Sequence, residues 1–69
     1  MSGAHAAVMT EADSETAPRV LVVEDDRKLA QLLCRALREE GFRAEPSFAG
    51  DAALRRLLEE RFAAVVLDV

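Results

Sequence analysis

Two short apolar runs that each lead into carboxylates constrain the fold of this chain most. Arg19–Val23 is followed by Glu24 and Asp25, and Ala64–Leu67 is followed by Asp68. Each run is short enough for a strand and apolar at successive positions, a pattern typical of strands inside a parallel sheet that is covered on both faces. If the two strands are parallel neighbours, their acidic ends meet at one edge of the sheet and form an acidic pocket.

A helix is predicted directly after the first strand, over Arg27–Glu40. Asp26 is placed to cap its N-terminus, and Gly41 is placed just beyond its C-terminal cap, where a left-handed backbone is common. Apolar residues repeat at the spacing of one helical face. This predicted face consists of Leu29, Leu32, Leu33, Ala36 and Leu37.

A short strand and a second helix are predicted before the last apolar run. Phe42–Glu45 alternates between apolar and charged residues, and Pro46 is expected to end it, as at an edge strand. Asp51–Arg61 has helical spacing, and its charged residues are expected to form a solvated face with some ion pairs. Its predicted apolar face consists of Ala53, Leu54, Leu57 and Leu58.

The order of these elements is β-α-β-α-β, which indicates an α/β fold on a doubly wound parallel sheet. Right-handed crossovers place the second and third strands on opposite sides of the first, giving the strand order 2-1-3. The C-terminal ends of the first and third strands are then neighbours at the switch point, where open α/β sheets bind ligands. This topology predicts that Glu24 and Asp25 meet Asp68.

The predicted pocket is suited to a hard divalent cation. Three clustered carboxylates repel one another, so one must bind a proton or a cation must neutralise them. Oxygen ligands without Cys or His favour Mg²⁺, and a metal beside an aspartate supports attack of that carboxylate on a phosphoryl group. The alternative is that acids after a strand only cap the next helix and complement its dipole, which is the role expected for Asp26. The folded part has no Gly-rich phosphate loop and no Ser-His or Cys-His pair for hydrolysis.

Composition excludes several other classes of function. The chain has one cysteine and one histidine, so neither an internal disulfide nor a zinc site of Cys and His ligands is expected. Its net charge of −4 disfavours direct binding of nucleic acid, which needs clustered cations. No apolar segment is long enough to span a membrane, so we expect no membrane partner. The single Cys34 fits a reducing, cytoplasmic location, which is the location we expect.

Residues 1–18 are expected to be a disordered leader. They lack helical or alternating periodicity, are rich in Ala, Ser, Thr and acidic residues, and contain no apolar run long enough for an export signal. Pro18 marks the predicted boundary. The folded part is therefore expected to cover residues 19–69.

Five segments of the folded part resemble the receiver domain of bacterial response regulators. They are Val20–Asp26 (VLVVEDD), the helix start Arg27–Ala30 (RKLA), Glu40–Phe42 (EGF), Gly50–Leu54 (GDAAL) and Val65–Val69 (VVLDV), in the family's order and at spacing like the family's. The resemblance covers Arg19–Val69 and implies part of a flavodoxin-like fold. The Glu-Asp-Asp form is most similar to regulators that carry a winged-helix DNA-binding output domain.

The resemblance implies different roles for the acidic residues. Asp68 would be the phospho-accepting aspartate, which takes a phosphoryl group from a sensor histidine kinase in a phosphorelay. Asp25 would bind Mg²⁺ directly and Glu24 would hold it directly or through water, so the metal ligands would be Glu24, Asp25 and Asp68. A receiver of this kind takes part in its own phosphoryl transfer but is not a turnover enzyme.

The resemblance also implies that the chain is the N-terminal half of a receiver domain, truncated after the third strand. The family's third protein ligand to the metal, a backbone carbonyl two residues after the phospho-acceptor, has no counterpart here. The expected partners therefore include the missing C-terminal half of the receiver and an output domain. An alternative from a different class is a truncated, non-phosphorylatable interaction module that dimerises or docks through its open third strand. A third is an unfolded product that is rapidly degraded.

Overall fold

The computed structural model describes residues 17–67, which form five alternating strands and helices. The strands are parallel, and their order across the sheet is β2-β1-β3. The predicted α/β class and strand order 2-1-3 are therefore confirmed, and the architecture is a partial flavodoxin-like sheet. The elements are β1 (Arg19–Val23), α1 (Arg27–Glu39), β2 (Arg43–Ser47), α2 (Gly50–Glu59) and β3 (Ala64–Leu67).

β1 is the central strand and the most buried part of the fold. Leu21 and Val22 are fully buried, because β1 has a strand on each side and a helix over each face. The register pairs Val23 with Ser47 of β2 and with Leu67 of β3. The C-terminal ends of all three strands therefore lie at the same edge of the sheet.

Alternate residues of β1 pack into two apolar clusters, one on each face of the sheet. The cluster under α2 is the smaller of the two, so α2 has less apolar contact with the sheet than α1. The cluster under α1 consists of Val20, Val22, Cys34 and Ala44, with Leu33, Leu37 and Val66 packed against it. The cluster under α2 consists of Leu21, Val23 and Ala53, with Phe62 packed against it.

α1 is capped at both ends as the sequence predicted. The Oδ1 atom of Asp26 accepts a hydrogen bond of 3.1 Å from the backbone N–H of Leu29. Gly41 adopts a left-handed φ of 99°, and its N–H donates to the carbonyl of Arg38 at 3.0 Å. Such a turn satisfies carbonyl groups that the last turn of a helix leaves open. The helix ends one residue earlier than predicted, with Glu40 as its C-cap.

The buried face of α1 differs in part from the predicted one. Its buried residues are Ala30 and Cys34, whereas Leu32 is 60% exposed. Small side chains let the helix lie close to the sheet, and larger apolar residues such as Leu33 and Leu37 pack at the sides of this contact. The leucine pattern alone therefore placed the centre of the face incorrectly.

β2 runs further than predicted and includes Pro46. The register pairs Pro46 with Val22, and the strand continues to Ser47. β2 is an edge strand among the described strands, so a proline whose missing N–H points away from β1 removes no ladder hydrogen bond. The prediction that Pro46 ends the strand is wrong.

Several apolar side chains of α2 and β3 are exposed, contrary to expectation. Ala53 is the buried residue of α2, whereas Leu54 and Leu58 are 58% and 79% exposed. In β3, which was predicted as a buried strand, Leu67 is 65% exposed. The three described strands form a narrow surface under α2, so Leu54 and Leu58 extend beyond it. β3 has one neighbouring strand in the described sheet, so its other edge is exposed.

Most of the predicted leader lies outside the described residues and stays a prediction. Ala17 and Pro18 are described: Ala17 is buried, and the carbonyl of Pro18 accepts a hydrogen bond of 2.9 Å from the N–H of Arg43. Between residues 17 and 67, neither helix has the length and apolar character needed to cross a membrane.

Candidate functional site

An open pocket of about 420 Å³ lies at the edge of the sheet where the strands end. This edge is the switch point of the sheet, because β1 leads to a helix on one face and β2 to a helix on the other. The two connections diverge there and leave a crevice between them. The pocket is lined by Val23, Glu24, Asp25, Phe48, Ala49, Gly50 and Leu67.

Glu24 places a buried carboxylate at the end of the central strand. The residue is 4% exposed, and its Oε2 atom accepts a hydrogen bond of 2.8 Å from the backbone N–H of Asp26. The N–H of Glu24 donates to the carbonyl of Ser47 at 3.0 Å, which ties the residue to the end of β2. The bond from Asp26 holds the carboxylate and offsets part of the cost of burying its charge, and the bond to Ser47 fixes the backbone of Glu24.

Asp25 and Asp26 have environments different from that of Glu24. Asp25 lines the same pocket and is exposed to solvent, whereas Asp26 is occupied as the N-cap of α1. The three consecutive acids are thus a buried carboxylate, a solvent-facing carboxylate and a helix cap. The capping role predicted for Asp26 is confirmed.

Two of the three predicted metal ligands line this pocket, and the third lies outside the described residues. Glu24 and Asp25 are in place, while Asp68 follows Leu67, the last residue described. Within residues 17–67, no three Asp, Glu, His or Cys side chains are grouped so that they could hold a metal ion. The donors that are present are carboxylate oxygens, which suit Mg²⁺, so they fit the cation that the resemblance implies.

A cation–π contact that sequence reasoning missed lies at the rim of the pocket. The Cζ atom of Arg27 is 4.2 Å from the centroid of the Phe48 ring, and Phe48 lines the pocket. Arg27 begins α1 and Phe48 follows β2, so the contact joins the two segments that frame the crevice. One signal was present in the sequence, because a basic residue at the start of a helix opposes the helix dipole.

The chain is similar to regulatory proteins of bacteria. Over 54 residues, or 78% of this chain, it is 46% identical to the transcriptional regulatory protein PrrA of Mycobacterium tuberculosis and 44% identical to that of Mycobacterium leprae. Over 51 residues, or 74% of the chain, it is 33% identical to the regulatory protein VanRc of Enterococcus gallinarum. The chain carries the N-terminal region of a response regulator receiver domain. The resemblance seen in its motifs is therefore confirmed.

The similarity covers part of each relative. The chain spans about a quarter of the length of the curated relatives it matches, 23% of PrrA and 22% of VanRc. No family model matches the chain, and no solved structure matches it either.

At the opposite end of this receiver region, an ionic cluster joins β1, β2 and α2. Arg19 donates from Nη2 to Oε1 of Glu60 at 2.7 Å and from Nε to Oε2 of Glu45 at 3.1 Å. Arg56 donates to the same two carboxylates, with 3.0 Å from its Nε to Oε2 of Glu60. Both guanidinium groups lie over Phe62, at 4.4 Å for Arg19 and 5.3 Å for Arg56.

The cluster holds its carboxylates in the ionised form. Hydrogen bonds from Arg56 and Arg19 lower the pKa of Glu60 to about 2. Hydrogen bonds from Arg19 and Arg56 also hold the pKa of Glu45 below its usual range. The ion pairs predicted on the charged face of α2 are confirmed for Arg56, although they extend to β1 and β2. Because Arg56 of α2 pairs with Glu45 of β2, and Arg19 of β1 pairs with Glu60 at the end of α2, the cluster links α2 to the sheet.

Proposed function

We propose that this chain is the phospho-acceptor region of a phosphorelay protein, which takes a phosphoryl group from a sensor histidine kinase onto Asp68 with Mg²⁺ present. One observation carries the proposal. Glu24 is a buried carboxylate fixed at the C-terminal end of the central strand, in a pocket that Asp25 and Leu67 also line. Asp68 is the next residue along the chain after Leu67.

The two carboxylates of the pocket have different roles in this proposal. Asp25 is exposed in the pocket and is the direct ligand to the cation. Glu24 already accepts a hydrogen bond from Asp26, so it holds the cation through water or with its other oxygen. When bound, Mg²⁺ cancels negative charge on the phosphoryl oxygens and on the clustered carboxylates.

The proposed reaction is an in-line displacement at phosphorus. A carboxylate oxygen of Asp68 forms a bond to the phosphorus atom of a phosphohistidine, and the P–N bond of the donor breaks. The imidazole leaves with the electron pair of that bond and takes up a proton. The product is an acyl phosphate on Asp68, so the chain is modified by its own reaction and is not a turnover enzyme.

Labelling the full-length protein tests the proposal. The protein is incubated with a phosphorylated histidine kinase and Mg²⁺, and the labelled residue is mapped by mass spectrometry. Asp68→Asn should abolish the label, because an amide does not attack phosphorus. Asp51→Asn is the matched control, since Asp51 is exposed and lies in the first turn of α2. Label that persists in Asp68→Asn would refute the assignment of the acceptor.

The partners follow from the same proposal. The relatives are named as regulatory proteins, and PrrA as a transcriptional one. We propose that this region acts in the cytoplasm with the rest of a receiver domain and an output domain that binds DNA. Loss of promoter binding in a full-length Asp68→Asn variant, tested by mobility shift after incubation with the kinase, would support that arrangement. Binding that does not depend on phosphorylation would contradict it.

A second candidate function is an interaction module that docks through β3. The observation in its favour is the exposure of Leu67 and Val65, which are 65% and 38% exposed on an edge strand of the described sheet. Unpaired apolar edges promote association with other strands. Sedimentation of the chain during a Mg²⁺ titration separates the two functions. A self-associated species that is indifferent to Mg²⁺ favours the module, and a monomer with Asp25-dependent Mg²⁺ binding favours the receiver.

A further inference from the structure

The guanidinium of Arg27 stacks on Phe48 at the mouth of the acidic pocket. Its Cζ atom is 4.2 Å from the ring centroid, and the same ring lines the pocket. An arginine that stacks through its flat face keeps the N–H donors on its edge for hydrogen bonds to anions. Among residues 17–67, Arg27 takes part in no ion pair, and the residue is exposed to solvent.

The position of Arg27 in the helix is unfavourable for a cation. Arg27 and Lys28 are the first two residues of α1, and its first turn contains no acidic residue. A positive charge at a helix N-terminus opposes the helix dipole, and the stack on Phe48 offsets part of that cost. The first turn of α1 therefore carries positive charge at positions where an acidic residue would stabilise the helix more. A departure from local preference at a pocket is typical of a functional site.

We propose that Arg27, held in place by Phe48, binds the phosphoryl group of the donor at the mouth of the pocket. The inference rests on the proposed phospho-acceptor function. The ligand class is a phosphorylated donor, either a phosphohistidine or a small acyl phosphate. The carboxylates of the pocket repel such a dianion, and a fixed cation at the mouth reduces that repulsion as the donor approaches. Arg27 forms no covalent bond, and its contribution is to donor binding.

The test measures phosphorylation of the full-length protein by acetyl phosphate in saturating Mg²⁺, as a function of donor concentration. Arg27→Ala should raise the half-saturating donor concentration by about fivefold, the factor for one exposed charge pair, with little change in the maximal rate. The difference from wild type should shrink at high salt, because the contact is screened. The half-saturating concentration for Arg27→Lys should lie between those of wild type and Arg27→Ala, since lysine keeps the charge but lacks the planar guanidinium.

A variant of the ring tests whether the stack matters. Phe48→Leu keeps an apolar side chain at the pocket and removes the aromatic face that holds the guanidinium. It should raise the half-saturating donor concentration in the same direction as Arg27→Ala. The double variant Arg27→Ala with Phe48→Leu should be no weaker in donor binding than Arg27→Ala alone, because the ring acts through the cation. Additive losses would show that Phe48 acts independently and would overturn the role given to the stack.

Arg35→Ala is the matched control. Arg35 lies on the same helix, its side chain is 77% exposed, and it pairs with Glu39. Arg35→Ala changes the net charge by the same amount as Arg27→Ala, but it should leave the half-saturating donor concentration unchanged. If Arg27→Ala saturates like wild type, or lowers only the maximal rate, the binding role is wrong and the phospho-acceptor function stands. If the wild-type protein takes no phosphoryl group on Asp68, the proposed function fails and the role of Arg27 fails with it.

Discussion

Arg56 holds Glu60 through two hydrogen bonds at the C-terminal end of α2, from Nε to Oε2 at 3.0 Å and from Nη2 to Oε1 at 2.9 Å. Arg19 reaches the same carboxylate from β1 at 2.7 Å. Since Ala53 is the buried residue of α2, apolar packing contributes little to the docking of this helix. The ionic cluster adds polar contacts between α2 and the sheet to this packing.

Acid should weaken this attachment. The pKa of Glu60 is lowered from 4.5 to about 2 in the folded chain, so ionised Glu60 stabilises the fold fully above the unfolded value. That stabilisation is lost as the pH falls from about 4.5 towards 2, and Glu45 acts in the same direction. Glu60→Gln should lower the melting temperature at neutral pH and flatten its decrease in this acid range.

Thermal unfolding followed by circular dichroism from pH 2 to pH 7 checks this prediction. Glu59→Gln is the control. Glu59 is exposed and adjacent to Glu60, and its substitution removes the same charge. It should keep the wild-type slope. A Glu60→Gln variant whose melting temperature falls as steeply as that of wild type would show that the cluster does not control acid stability.

Of the two glycines between residues 17 and 67, Gly41 should be the more sensitive to substitution. Its φ of 99° lies in the left-handed region, where an added Cβ costs about 1–2 kcal/mol. Gly41→Ala should reduce the free energy of unfolding by about that amount in urea denaturation. Gly50→Ala is the contrast, because a Cβ built at Gly50 meets no atom within 4 Å and Gly50 begins a helix. Equal effects of the two substitutions would contradict the conformational explanation.

Cys34 should be an unreactive thiol in the folded protein. It is 1% exposed, and burial raises the pKa of the thiol above its usual value, against a smaller opposite effect of Arg38. Since the thiolate is the reactive form, a disulfide reagent at neutral pH should modify Cys34 only as fast as the protein opens. Gly41→Ala, which lowers stability, should speed the reaction by about five- to thirtyfold. Modification of the native protein at the rate of the denatured chain would refute this burial.

The strand order could be predicted because it depends on rules that one sequence carries. The alternation of elements and the hand of the crossovers give 2-1-3 without knowledge of any contact. The burial of individual side chains was harder to predict, because it depends on which other elements pack against them. Leu54 and Leu58 have core-like spacing but lie beyond the described sheet, and small Cys34, which has no strong pattern, is in the core.

For the candidate site, the position of the acidic residues could be predicted, but their burial and contacts could not. The end of the apolar run at Val23 is enough to put Glu24 and Asp25 at the switch point. Spacing does not reveal which of the two acids is buried, nor the hydrogen bond that the N–H of Asp26 donates to Glu24. The stack of Arg27 on Phe48 was missed for a related reason, since it joins the start of α1 to the segment after β2, which is distant in sequence.

The carboxylate of Glu24 should strengthen cation binding but lower the stability of the fold when no cation is bound. Glu24 is buried and lines the pocket together with Asp25, and burying negative charge there has a cost in free energy that a bound cation reduces. Glu24→Gln keeps an oxygen acceptor for the N–H of Asp26 and removes the charge. Without Mg²⁺, this variant should therefore unfold at a higher temperature than wild type.

Addition of Mg²⁺ should reverse that order. Wild type should gain about 2.7 kcal/mol at a cation concentration of 100 times its Kd, while Glu24→Gln and Asp25→Asn should gain much less. Asp51→Asn, which removes an exposed carboxylate outside the pocket, should respond like wild type. Melting curves with and without Mg²⁺, with Ca²⁺ as a second cation, measure these shifts. If Glu24→Gln gained as much from Mg²⁺ as wild type, the carboxylate of Glu24 would have no part in binding the cation.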